Sequence, residues 1–116
     1  MATPGEVEHF LHDFKVKLGI WGVVFRDDRS KNAQALLDLD ITPVLREQIL
    51  KTLQAIDYCE GPNSENLYGG ADMWIFGKIV KGQEVYIKIS LGVTGAKVIC
   101  ISFHVAEHAM KYPLKK

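Results

Sequence analysis

The residues best suited to moving protons or holding phosphate gather in the C-terminal half of the chain. They are Lys78, Tyr86, Lys88, Ser102 and His104, flanked by Trp74 and Phe76. Cleaving RNA without a metal requires a base for the ribose 2′-OH proton, an acid for the departing 5′-oxygen and cations for charge growing on phosphorus. His104 has the side chain that serves as acid or base near neutral pH. Tyr86 can donate a proton or, with its pKa lowered between Lys78 and Lys88, accept one. The lysines suit a phosphate clamp, and Trp74 or Phe76 suits stacking on an unpaired base. The same residue mix also describes a plain solvated sheet face, and the functional alternative is a non-catalytic RNA- or protein-binding module using that face.

Positioning this set requires strands. Met73 to Val80, Glu84 to Leu91 and Lys97 to Val105 read as three strands joined by glycine-containing connections, Lys81-Gly82-Gln83 and Gly92-Val93-Thr94-Gly95-Ala96. Alternation along an antiparallel meander covered on one side sorts the side chains into two faces. Val85, Ile87, Ile89, Leu91, Ile99, Ile101, Phe103, Val105, Met73, Ile75 and Ile79 are expected on the core face. Trp74, Phe76, Lys78, Glu84, Tyr86, Lys88, Ser90, Val98, Cys100, Ser102 and His104 are then expected on the outer face. Ile75, Ile87 and Ile101 are accordingly expected beneath the helices.

Those helices come first in the chain. Thr3-Pro4-Gly5-Glu6 has the form of a capping box, and Val7, Phe10, Leu11, Phe14 and Leu18 continue it as an amphipathic helix over about residues 4–17, with Gly19 as the stop. Residues 20–25 read as a short strand. Arg26 to Ser30 is a charged loop leading to a short helix near Asn32 to Leu37. Thr42-Pro43 starts another helix, striped by Leu45, Ile49, Leu50 and Leu53, to about residue 54. Ile56 to Glu60 reads as a brief strand. Gly61-Pro62-Asn63-Ser64 and Tyr68-Gly69-Gly70 bracket a loop. The fold class is therefore α+β: N-terminal helices on a small C-terminal antiparallel sheet, extended by short strands, in a single domain spanning residues 1–116.

Composition narrows the class. At 116 residues, 47% hydrophobic and 24% charged, the chain has ordinary globular values. No apolar run suffices for a bilayer span, and no secretory signal is expected, which points to a cytoplasmic protein with Cys59 and Cys100 reduced. Zero net charge conceals an asymmetry: residues 1–71 hold seven Lys/Arg against eleven Asp/Glu, and residues 72–116 hold seven Lys against three acids. The sheet end is the basic end, the one that attracts a polyanion. His9 with His12, and His104 with His108, lack metal-site spacing with a supporting acid, so neither a metal nor another cofactor is expected. No phosphate-cradling glycine loop, nucleophile elbow or CxxC is present.

Four segments carry a family resemblance. They are Phe25-Arg26-Asp27-Asp28-Arg29, Met73-Trp74-Ile75-Phe76-Gly77-Lys78, Lys81-Gly82-Gln83-Glu84-Val85-Tyr86-Ile87-Lys88-Ile89 and Ile99-Cys100-Ile101-Ser102-Phe103-His104. In order and spacing the chain resembles the MqsR (motility quorum-sensing regulator) family of type II toxin–antitoxin toxins. The resemblance implies a RelE-like fold and a metal-free, ribosome-independent mRNA endoribonuclease that inhibits translation and growth. It also implies an antitoxin partner, expected to carry a helix-turn-helix DNA-binding region. Tyr86 matches the family's active-site tyrosine. His104 stands where better-known members carry lysine, Glu60 near another family lysine, and Ile75 near the active-site glutamine.

Overall fold

A computed structural model describes residues 1–28, 30–64 and 70–115. Among these residues the fold is α+β, with three α-helices packed against one five-stranded mixed sheet. Helix α1 spans Pro4–Trp21, α2 Ser30–Asp38 and α3 Pro43–Lys51; strands are β1 Val23–Phe25, β2 Tyr58–Asn63, β3 Met73–Val80, β4 Gln83–Ser90 and β5 Val98–Val105. A single 3₁₀ turn, Ala55–Asp57, precedes β2 where a strand was expected from Ile56.

The capping box is formed. Thr3 Oγ1 accepts from the Glu6 N–H at 3.2 Å, and Glu6 Oε1 accepts from the Thr3 N–H at 2.9 Å. The α1 apolar stripe is buried, but Gly19 does not stop the helix. One glycine in the interior costs only about 1 kcal/mol, which the buried stripe outweighs. The stop falls at Gly22, whose φ of 85° only glycine adopts easily and whose N–H donates to Leu18 O. β1 is shortened accordingly.

The strand order is β1-β5-β4-β3-β2. The expected meander, β3 to β5, is present, and β2 adds antiparallel to β3. β1 adds to the far edge, parallel to β5, with Val23 opposite Val98. Beyond Phe25, where β1 ends, the edge of β5 is taken over by one side chain. Buried Asn32 of α2 donates to Ile101 O at 2.7 Å and accepts from the Phe103 N–H at 3.0 Å. It thereby mimics a neighbouring strand and satisfies groups that burial would otherwise orphan.

Two parts of the expected face assignment are overturned. In β3 the faces are reversed. Trp74 lies opposite Ile89 and Phe76 opposite Ile87, so both aromatics point under the helices, where Phe10 stacks on Trp74 at 4.5 Å between ring centroids. Either face of Met-Trp-Ile-Phe-Gly-Lys-Ile-Val is apolar, so alternation alone could not choose. Burying a Trp and a Phe removes more apolar area than burying isoleucines, and Ile79 is left 64% exposed. Ile75 is buried, but on the opposite face from the helices.

In β5 the register shifts between Lys88, which faces Ser102, and Ile89, which faces Cys100, so Ile101 is an unmatched bulge residue. The bulge turns Val98 and Cys100 into the helix-side core while Ser102 and His104 stay on the outer face. Ile87 lies beneath the helices as expected, and Ile101 is buried at the bulge. Of the loop expected around residues 61–70, residues 65–69 lie outside those described, as does Arg29. Among the described residues no helix is long and apolar enough to cross a membrane.

Candidate active site

The outer face of the sheet brings together four of the expected site residues. Tyr86 pairs with His104 and Lys88 with Ser102 across β4 and β5. Residues directly opposite on neighbouring strands share a face with close Cβ atoms. The Tyr86 and His104 rings lie nearly parallel, 5.3 Å apart between centroids and 13° between planes. The row continues across the sheet: Ile75 faces Lys88, and Glu60 of β2 faces Ile75. All six side chains line a single cleft of about 770 Å³.

His104 Nδ1 lies 3.0 Å from Val105 O. A carbonyl can only accept, so Nδ1 carries the proton in this contact, and Nε2 is the nitrogen left to take one up. Ser102 is buried at the base of the cleft. Cys59 also lines it, but burial, helped by the Glu84, Asp57 and Glu60 carboxylates, pushes its thiol up to about 12. It therefore stays protonated at neutral pH and is a poor nucleophile.

Three expected members lie elsewhere. Lys78 faces Val85 on the helix side, where its ammonium donates to Asp57 Oδ2 at 3.1 Å and Thr52 O at 3.2 Å. It is a structural tie between β3 and the segment following α3. Trp74 and Phe76 belong to the aromatic core with Phe10 and Tyr58, so they offer no stacking platform in the cleft. A second groove of about 660 Å³ does reach Trp74, beside α1, but it lies outside the Tyr86–His104 cleft.

The opposite wall of the cleft was not expected. After β5 the chain turns back over the outer face, and residues 106–111 line the cleft together with Lys31 of α2. Glu84 of β4 anchors this tail. Its two carboxylate oxygens accept from the Met110 N–H at 3.0 Å and the Tyr112 hydroxyl at 2.7 Å, and its carbonyl accepts from the Ala106 N–H. Burial and this bond to Glu84 push the Tyr112 phenol up, keeping it a donor. Tyr112 rests on Gly77, where a Cβ would come within 2.9 Å of ring carbons and closer still to the hydroxyl oxygen. A glycine in a strand interior often marks such a close approach, and Gly77 was the one sequence signal for the tail. A further tie joins Lys31 to Glu107.

Among the described residues no group of three or more His, Cys, Asp or Glu side chains is arranged to hold a metal. Comparison with protein-family models, with curated proteins and with solved structures gives no match.

Proposed function

We propose that the protein is a metal-independent endoribonuclease of the toxin–antitoxin kind, with the Tyr86–His104 cleft as its active site and a RelE-like arrangement as its framework. One observation carries the reading. Glu60, Ile75, Tyr86 and His104, the four positions that the family resemblance singles out, come from four different strands and line one cleft. Strand alternation alone brings Tyr86 and His104 to one face; Glu60 and Ile75 join them only through the pairing of β2 with β3 and of β3 with β4.

In this reading His104 Nε2 takes the proton from the ribose 2′-OH as that oxygen attacks phosphorus. Lys88 balances the charge on the phosphorane oxygens. The Tyr86 phenol hands its proton to the departing 5′-oxygen, leaving a 2′,3′-cyclic phosphate and a 5′-hydroxyl, and solvent restores both side chains. Histidine at 104 and glutamate at 60, in place of lysines, supply a base and an acceptor in place of two cations. The natural partner is a small antitoxin with a DNA-binding region, and the setting is the cytoplasm, where mRNA cleavage halts growth.

The test is cleavage of single-stranded RNA in the presence of a chelator. Tyr86→Phe and His104→Ala should each lower the rate by a factor on the order of 10² to 10⁴. Full activity in both variants removes the site, and loss of activity on chelation alone removes the metal-free mechanism. RNA binding without cleavage, together with harmless expression in a bacterial host, would favour the binding module instead.

A further inference from the structure

The end of the cleft lined by Lys31, His104 and His108 combines a lysine ammonium and two imidazoles with a carboxylate from the tail. Lys31, in the first turn of α2, reaches the cleft and binds Glu107. His104 and His108 line the same region. Lys31 holds the Glu107 carboxyl below the usual carboxylate range, and the two imidazoles add to that in smaller measure. An anion is therefore favoured at this point, and the chain supplies one of its own. Both partners are largely exposed, 61% for Lys31 and 58% for Glu107. Pairs so exposed are weak and exchange readily, so a competing anion can displace Glu107 without disturbing the core. The Glu84 anchor of the tail lies at a separate point and need not open.

We propose that the Lys31 end of the cleft is a phosphate subsite, occupied in the resting protein by the chain's own Glu107 carboxylate as an internal competitor. A phosphate entering beside His104 takes the Lys31 ammonium from Glu107, and the freed carboxylate swings out to solvent. The choice of an RNA phosphate as the natural occupant rests on the nuclease reading above, as a flanking phosphate one step along the strand from the scissile one. The subsite itself does not depend on that reading. Glu107 then tunes affinity: it weakens binding of short or isolated phosphates while a longer strand, held at several points, outcompetes it.

The experiment is an amide-resolved NMR titration of the full chain with inorganic phosphate, and separately with a non-cleavable 2′-O-methyl oligoribonucleotide. Wild type, Glu107→Gln, Lys31→Ala and a control, Glu8→Gln on the exposed side of α1, are compared at constant ionic strength. Phosphate should perturb the amides of residues 104–108, and Glu107→Gln should bind it about two- to five-fold more tightly, the range expected for removing one exposed ion-pair competitor. Lys31→Ala should bind it several-fold more weakly, and Glu8→Gln should match wild type. Equal affinity in Glu107→Gln and wild type, or an equal gain in Glu8→Gln, overturns the proposal. Tighter phosphate binding in Glu107→Gln by a protein that cleaves no RNA upholds the subsite and sinks the nuclease reading alone.

Discussion

Replacing Gly77 by alanine should loosen the tail through a single methyl group. An added Cβ would lie 2.9 Å from Tyr112 ring carbons, against an ordinary carbon–carbon contact of about 3.5 Å. The ring must retreat by at least roughly 0.6 Å, and the hydroxyl by more, because it is closer still. The Tyr112–Glu84 bond, 2.7 Å long, does not survive that displacement with good geometry. A hydrogen bond to a charged group contributes about 1.5–3 kcal/mol. Replacing a strand glycine by alanine returns about 0.5–1 kcal/mol of chain entropy. The net expectation is a loss of about 1–2 kcal/mol, read as a lower urea midpoint, with faster tryptic cleavage after Lys111. Gly77→Ala placed on a Tyr112→Ala background should instead be neutral or stabilising by up to about 1 kcal/mol, because nothing then occupies the space. If the alanine costs the same in both backgrounds, the cycle shows no coupling, and the account of Gly77 as the seat of Tyr112 is wrong.

Asn32→Ala should cost about 3 kcal/mol, since it strips partners from the buried groups of Ile101 and Phe103; a change under about 0.5 kcal/mol in chemical denaturation would refute its role as a strand substitute. The Glu6 carboxyl is held below its ordinary value by the Thr3 N–H, with help from the Thr3 hydroxyl. A depressed folded-state pKa means that this contribution is complete above the ordinary carboxylate range and is lost as pH falls through the lowered value. Glu6→Gln should therefore remove part of the acid-side fall in stability while leaving the neutral-pH slope unchanged, which thermal melts from pH 3 to 7 would show.

How far the fold could be read from residues alone depended on how sharply each segment's two faces differ. In β4 the alternation of Val85, Ile87 and Ile89 with Glu84, Tyr86 and Lys88 is unambiguous, and Tyr86 and Lys88 were placed correctly. In β3 both faces are apolar, so alternation does not say which is core; the aromatic face is the buried one, and Lys78, Trp74 and Phe76 lie away from the cleft. In β5 alternation puts Ser102 and His104 on the outer face, where they lie, but not Val98 and Cys100 in the core, because a bulge leaves no mark in a run such as Val-Ile-Cys-Ile-Ser-Phe. The capping box and the Thr42-Pro43 start were legible because they depend only on neighbours along the chain. The parallel pairing of β1, the cap from Asn32 and the wall formed by residues 106–111 are all long-range. Each depends on which distant backbone group is left needing a partner, and local pattern does not contain that information.

The parallel pairing of β1 with β5 also orders events in time. Val23 and Val98 are neighbours in the sheet although they stand 75 positions apart in the chain. β3 and β4, by contrast, are joined by the two-residue turn Lys81–Gly82 and can zip together at once. Closing a flexible loop of 75 residues costs about 4 kcal/mol by the logarithmic chain-entropy rule, before its constant is added. A strand of three residues cannot meet that cost unaided. β1 can therefore settle only after β5 has joined the meander and α1, bearing β1 at its end, has docked. On a growing chain the first strand waits for the last one to emerge, so the cleft built on β5 and the edge closed by β1 mature together and late.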